Sequence, residues 1–374
     1  MAGERGRPAR SALTGSTGRA REGVVTGYLF KALREEIGLT QPGLAEALGV
    51  DSTTVQGWES GRRALTATRA GTLRSITRKL LRLGAPAEML RLFDDAVDAD
   101  SIVSYAMSEF PSDYVAEHPL SGWVFTRNTT HLLAWALNGT PPAALPATPA
   151  RRRRGPVAAS PLLPAGEREV FFAHMRRAAE LADHAGADGA LLRRQALYLS
   201  SYDRSPDTRQ WLASMRKTTR HPKGWTAHWA EARSVAASLA RHGDNEPMRA
   251  FIRYGMRDDA GEMANLNYWA YWLGIDRLPR SNDTFMTDMS GARWDGLTLL
   301  RGLATRLDPE LGCIDLNAHS VWALLTARRG LLATDPALNA DLDARVTAIL
   351  DSESISAQTR HELEAVHYGL DVHT

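Results

Sequence analysis

Four polar side chains between positions 52 and 56 carry groups that recognise the edges of nucleic-acid bases. The amide of Gln56 donates and accepts together, so it can pair with an adenine edge. The hydroxyls of Ser52, Thr53 and Thr54 can contact any base, and a threonine methyl packs against the methyl of thymine. Residue types of this kind at this spacing favour base recognition along one short element.

The apolar residues of the same stretch predict the element that carries these side chains. Val55 and Trp58 are three positions apart, as on the buried face of a helix, and we expect that helix to span 51–60. A helix with these two residues inward leaves one face exposed. That face consists of Ser52, Thr53, Gln56 and Gly57.

Signals before this helix predict how it is held. An amphipathic helix stops at Gly38, and Thr40 is an N-cap for a helix over 41–48. Gly49 then provides the tolerance of positive φ that a tight turn needs. Two short helices joined in this way let the second enter the major groove of DNA with its first residues at the base edges.

The segment 24–84 resembles the Cro/C1-type helix-turn-helix of the XRE family of bacterial and phage transcriptional regulators. The resemblance implies that Gln41 contacts DNA at the start of the second helix and that the exposed face of the third helix lies in the groove. It also implies a structural ion pair between Arg34 and Glu59. The residues that carry the resemblance are Arg34, Gly38, Leu39, Thr40, Gln41, Leu44, Ala45, Leu48, Gly49, Val50, Val55, Trp58, Glu59 and Gly61.

Two departures from the family pattern bear on how well this segment reads DNA. Pro42 and Gly43 replace the helix-forming residues usual after the Thr-Gln start, so the capping-box glutamate is missing and the first turn should be weaker. Gly57 has no side chain where the family often places one that reads a base. We therefore expect some reliance on DNA shape.

Basic residues are concentrated in the first quarter of the chain. Up to Gly84 there are 14 basic and 7 acidic residues, whereas the whole chain has a net charge of only +2. Arg62 and Arg63 directly follow the third helix, where the backbone of bound DNA should lie, and phosphate contacts there would supply affinity and register. Between Ser60 and Arg82 no residue is acidic. The basic residues of that stretch are Arg62, Arg63, Arg69, Arg74, Arg78, Lys79 and Arg82.

The composition of the chain predicts five segments. A flexible basic arm over 1–22 either reaches an adjacent minor groove or is a solvated tail. The helix-turn-helix domain follows over 23–84, and a helical connecting region over 85–140. Seven prolines and the run Arg151–Arg154 predict a linker or loop over 141–166. Apolar residues at helical spacing predict an all-α C-terminal domain over 167–374, as a bundle or a helical-hairpin array.

The C-terminal domain shows no pattern of catalysis or metal binding, so we expect no enzyme, cofactor or metal site. The aromatic residues of Asn265–Gly274 either pack in a core, with the asparagines hydrogen-bonded internally, or form a ligand pocket or dimer contact. Asp315 and His319 are four apart and are expected to form a surface pair.

These features predict a sequence-specific DNA-binding transcriptional regulator with an all-α fold. Its partner is double-stranded DNA, bound as a homodimer, and its C-terminal region serves dimerisation or binds a small-molecule or protein effector. An alternative is an antitoxin-like or plasmid-maintenance protein whose C-terminal region binds a protein partner. Residues 1–22 contain no apolar run of the kind found in signal peptides, and no stretch of the sequence is apolar over the length of a membrane span, so we expect a cytoplasmic, nucleoid-associated protein.

Overall fold

The computed structural model describes residues 22–108, 115–145, 160–218, 225–308, 312–352 and 355–373. Every regular element in these ranges is helical, which confirms the predicted all-α fold class. The expected basic arm lies outside the described residues except for Glu22, and so do residues 146–159 of the expected linker. No helix in the described ranges is both long and apolar enough to cross a membrane.

The described residues form two compact units. The first unit is drawn from Met1–Phe110 and His131–Glu167, and the second from Pro111–Thr130 and Arg168–Thr374. The segment boundaries expected from the sequence stay predictions.

The first unit begins with helices of 4 to 16 residues separated by short turns. They are α1 (Val24–Glu36), α2 (Gln41–Leu48), α3 (Ser52–Glu59), α4 (Ala70–Arg82), α5 (Ala87–Leu90) and α6 (Leu92–Met107). Their core is apolar, and Phe30 of α1 meets Trp58 of α3 edge to face, with ring centroids 5.7 Å apart. Such aromatic pairs add specific geometry to the area that they bury.

The remaining helices extend to residue 373. They are α7 (Arg127–Asn138), α8 (Ala165–His184), α9 (Ala190–Ser200), α10 (Pro206–Thr218), α11 (Ala227–Arg241), α12 (Glu246–Gly255), α13 (Asp259–Trp272), α14 (Gly296–Ala304), α15 (Ile314–Ala327), α16 (Pro336–Leu350) and α17 (Ala357–His373). In the second unit α11 packs against α9, α10 and α12, and α15 packs against α14 and α17.

The aromatic residues of α13 are buried in the second unit. Tyr268, Trp269, Tyr271 and Trp272 are each less than a tenth exposed. Asn265 donates to the hydroxyl of Ser320 at 2.8 Å, so this amide is hydrogen-bonded internally, as the core-packing alternative requires.

The expectation of a surface pair at Asp315 and His319 is wrong. Both side chains are buried, and they have different partners. Asp315 accepts hydrogen bonds from Arg249 and Thr359, whereas Nδ1 of His319 lies 2.9 Å from Oε1 of Glu362. Residues from distant helices hold both groups, and a spacing of four along one helix does not reveal such partners.

Candidate nucleic-acid interface

Local signals in the sequence form the turn between α2 and α3. The hydroxyl of Thr40 accepts the N–H of Gly43 at 3.2 Å, so Thr40 caps α2 as predicted, without a capping-box glutamate. At the other end Gly49 has φ of 73°, and the N–H of Val50 donates to the carbonyl of Ala45 at 3.0 Å. This left-handed end closes α2 and directs the chain at once into α3.

A buried carboxylate ties α1, α2 and α3 together. Nε of Arg34 donates to Oε1 of Glu59 at 2.5 Å, and Nη2 donates to Oε2 at 3.1 Å. Nη1 of Arg34 also donates to the carbonyl of Leu39 at 2.8 Å. Nε2 of Gln41 donates to Oε2 of Glu59 at 2.7 Å. The first side chain of α2 is therefore fixed against the last residue of α3.

The outward face of α3 presents polar side chains, as the helical phase predicts. Thr53 and Gln56 are exposed, and Ser52 and Thr54 are partly exposed. Val55 and Trp58 lie on the opposite side in the core. The side-chain donors and acceptors of Ser52, Thr53 and Gln56 are therefore available to a partner.

The structure corrects the expectation that Gly57 is exposed. The chain turns back after α3, and the N–H of Arg63 donates to the carbonyl of Gly57 at 2.9 Å. A Cβ on Gly57 would lie 3.3 Å from Cβ of Arg63 and 4.0 Å from Nη2 of Arg62. Gly57 does lie away from the core, but these two arginines bury it.

Arg63 thus adds a cation to the outward side of α3. Its Nη1 donates to Oγ1 of Thr54 at 3.0 Å, and its side chain is exposed. Its Cβ lies beside Gly57, and its guanidinium lies at Thr54. The sequence alone predicted that Arg63 follows the third helix and lies at the DNA backbone, because the backward turn is not visible in a linear pattern.

Comparison with known proteins supports the geometry of this segment. Residues 30–76 match a family model described as helix-turn-helix. Residues 30–76 are an XRE-type helix-turn-helix. No curated protein and no solved structure matches the chain. Helix-turn-helix domains of this family bind DNA and are not enzymes.

The basic residues after the helix-turn-helix motif have two different roles in the structure. Nζ of Lys79 donates to the carbonyl of Leu48 at 2.6 Å, so this lysine satisfies the C-terminal end of α2. The other six basic side chains between Ser60 and Arg82 are solvent-exposed. They are Arg62, Arg63, Arg69, Arg74, Arg78 and Arg82.

Two residues that position the helix-turn-helix were not found from the sequence. Asp100 of α6 accepts the N–H of Val25 at 2.8 Å and that of Thr26 at 2.9 Å, so it caps the start of α1. Burial raises the pKa of Asp100 to about 6, although its hydrogen bonds to Thr26 and Val25 oppose the rise. Gly27 lets α1 approach α3 closely, since a Cβ there would lie 2.2 Å from the carbonyl oxygen of Trp58.

The described part of the second unit contains no group of three or more metal-binding side chains that could hold an ion. Its lone cysteine, Cys313, stands at the N-cap of α15 with φ of 53°, a left-handed conformation that is uncommon for a residue with a side chain.

Proposed function

We propose that the chain is a sequence-specific transcriptional regulator whose α3 reads the major groove of its operator. The single observation that carries this proposal is the outward face of α3, which is polar and exposed while the helix is fixed from behind by Glu59. Thr53 and Gln56 stand at its centre, and Ser52 and Thr54 at its edges. These side chains supply the hydrogen bonds and methyl contacts of direct base recognition.

Gln41 contacts DNA from α2 and not from α3 in this proposal. Its amide nitrogen is bound to Glu59, which leaves the amide oxygen and the second hydrogen of the nitrogen for DNA. Gln41 therefore contacts DNA from a fixed position at the start of α2, as the family resemblance implies.

The exposed arginines make the remaining contacts with DNA, some with phosphates and one with a base edge. Arg62 and the arginines of α4 bind phosphates and supply affinity without sequence information. The guanidinium of Arg63 is hydrogen-bonded to Thr54 at the edge of the outward face of α3, so it enters the groove with that helix and adds donors for a guanine edge.

We further propose that the protein binds as a homodimer. One small helix-turn-helix contacts a single half-site, and two-fold operators present two half-sites about one helical turn apart. The second unit then serves dimerisation or binds an effector or protein partner. Light scattering of the purified chain tests this directly, because a monomer at micromolar concentration with and without operator would overturn the dimer. A stoichiometric foreign protein that copurifies in a native pull-down would instead support an antitoxin-like function.

Selection from a pool of randomised duplexes tests base recognition. We expect one sequence with repeated or inverted half-sites to be enriched by the wild-type chain and lost by the triple variant Ser52→Ala, Thr53→Ala, Gln56→Ala. Ser101→Ala removes an exposed hydroxyl from α6 and is the matched control. Enrichment of no sequence, with binding that depends only on salt, would overturn the proposal.

A further inference from the structure

The second unit buries two arginines together with a carboxylate partner. This is the usual arrangement, because a charge removed from water needs an opposite charge or strong hydrogen bonds nearby. Arg193 pairs with Glu231 at 2.7 Å and Arg194 with Asp283 at 2.6 Å, and the partly exposed Arg249 pairs in the same way with Asp315 at 3.1 Å.

Four other arginines of the same unit form no ion pair with any described residue. We call Arg127, Arg233, Arg241 and Arg306 the arginine cluster. Arg233 is only 6% exposed; its Nε donates to Oδ1 of Asn265 at 3.1 Å, but its Nη2 is buried without a hydrogen-bond partner. The Nε atoms of Arg127 and Arg306 are likewise buried and unpartnered.

Aromatic rings, and not carboxylates, support three of these guanidiniums. Cζ of Arg233 lies 4.0 Å from the ring centre of Tyr268 and 5.3 Å from that of Trp269. Cζ of Arg306 lies 4.9 Å from the same Trp269 ring. Arg241 lies 4.8 Å from the ring centre of Tyr198 and donates to its hydroxyl at 2.9 Å. Stacking orients a guanidinium and leaves its in-plane N–H donors free for a ligand.

Aromatic rings in contact join three of these guanidiniums. Arg233 and Arg306 share the ring of Trp269. From Arg233 the rings of Tyr268, Trp272 and Tyr198 follow one another, with centroids 5.8 and 5.5 Å apart, and end at Arg241. The phenol of Tyr198 also acts on the pKa of Arg127. Burial lowers the pKa of Arg306, and the positive charges of Arg127 and Arg233 lower it further. These arginines therefore repel one another.

The start of α15 adds to this positive region. Burial raises the pKa of the Cys313 thiol, and the positive charges of Arg241, Arg233 and Arg306 oppose that rise. Cys313 is the N-cap of α15 and its side chain accepts no capping hydrogen bond. The N-terminal end of a helix carries a partial positive charge, so it favours a negatively charged ligand, as the arginines do.

Solvent reaches part of the cluster. Arg241 is exposed, and Tyr198, Arg127 and Arg306 are partly exposed, whereas Arg233 is buried. A ligand could therefore approach the cluster from solvent at Arg241, and Arg233 would be its most deeply buried contact.

We propose that the arginine cluster binds a small molecule through a phosphate group. Several guanidiniums without a carboxylate need a ligand with at least two negative charges, and the forked donors of arginine match the oxygens of a phosphate. The site lies on other helices than the DNA-reading face, so the proposal does not depend on DNA binding.

Binding of inorganic pyrophosphate to the full chain tests the site. We expect pyrophosphate to raise the Tm and to bind in calorimetry at constant ionic strength, whereas chloride and citrate do neither. ATP and glucose 6-phosphate are titrated in the same way. The compound that binds more tightly shows whether the phosphate belongs to a nucleotide or to a sugar phosphate.

Two variants separate this site from the basic helix-turn-helix, which also attracts anions. We expect Arg306→Met and Arg233→Met each to weaken pyrophosphate binding by at least about tenfold. Without ligand, their Tm should equal or exceed that of the wild type, because an unpaired buried charge is removed. Arg257→Met removes one exposed charge from the same unit and should bind as the wild type does.

The proposal is overturned if none of the three phosphate compounds binds better than chloride, if citrate binds equally well, or if binding survives in both variants. Arg306→Met keeps the test decisive should Arg233→Met fail to fold, because Nε of Arg306 has no hydrogen-bond partner among the described residues that the substitution would remove.

Discussion

The guanidinium of Arg34 in α1 and the carboxylate of Glu59 at the end of α3 are joined by two hydrogen bonds, of 2.5 and 3.1 Å. Their side chains are 10% and 4% exposed, so this ion pair is shielded from water. Because Glu59 also accepts from Gln41, one carboxylate sets the positions of three helices and of the candidate DNA contact at the start of α2.

Glu59→Ala should destabilise the first unit by about 3 kcal/mol, because it leaves the buried guanidinium of Arg34 without its partner. Urea unfolding followed by circular dichroism measures this loss. Glu46→Ala removes an exposed carboxylate from α2 and should change the stability by less than about 0.5 kcal/mol. Equal effects of the two substitutions would contradict the structural role of Glu59.

Gly27→Ala should also destabilise the first unit, by about 1–3 kcal/mol or more, since the new Cβ would lie 2.2 Å from a backbone oxygen of α3. The matched control is Gly71→Ala in α4, where a Cβ meets nothing within 4 Å. There we expect no loss, because alanine favours a helix over glycine by roughly 0.5–1 kcal/mol. Thermal unfolding of both variants decides the point, and a Gly27→Ala protein as stable as the wild type would refute the close approach.

The sequence was sufficient to predict a structural feature wherever that feature depends on neighbouring residues or on the family motif. Thr40 and Gly49 are local signals, and the all-α fold follows from apolar spacing over many turns. The roles of Gly27 and Asp100 could not be predicted in this way, because their partners lie in other helices and Asp100 is 75 positions from Val25. Gly57 was placed on the correct side of α3, but its burial depends on a backward turn that only the structure shows.

Arg62 and Arg63 are adjacent, yet their substitution by alanine should affect DNA binding differently. Arg62→Ala should weaken binding to all duplexes alike and flatten the dependence of log K on log salt by about one unit, as loss of a phosphate contact does. Arg63→Ala should also reduce discrimination between selected and random duplexes by at least about fivefold, because Arg63 lies over the outward side of α3. Titrations at several salt concentrations measure both effects.

Arg91→Ala, at an exposed position between α5 and α6, is the control for the loss of one positive charge. If Arg63→Ala leaves discrimination unchanged, Arg63 contacts only phosphates and does not enter the groove with α3.

The second unit should lose stability in mild acid through two buried histidines. Nε2 of His118 lies 3.2 Å from Nε2 of His174, and Nδ1 of His118 accepts the N–H of Leu120 at 3.0 Å. Burial lowers the pKa of His118 to about 3, with a contribution from the charge of His174, and lowers the pKa of His174 to about 4.

Both histidines have a pKa near 6.5 in the unfolded chain, so the unfolded chain takes up protons first as the pH falls. The stabilisation is complete above pH 6.5, and about 2 kcal/mol per histidine should be lost by pH 5. Urea unfolding at pH 7.5 and pH 5 measures the loss, which should be smaller in His174→Gln and unchanged in the exposed-site control His228→Gln. An equal loss in wild type and His174→Gln would show that other groups govern the acid response.

The most direct test of the central claim is the ratio of affinities for the selected duplex and a random duplex, measured at one salt concentration. For the wild-type chain this ratio should be on the order of a thousand or more, as for specific DNA-binding proteins. We expect the variant Ser52→Ala, Thr53→Ala, Gln56→Ala to lower the ratio at least about a hundredfold while its affinity for random DNA stays the same. A ratio that is unchanged in the variant would contradict the account, because the outward face of α3 would then not be the surface that reads the sequence.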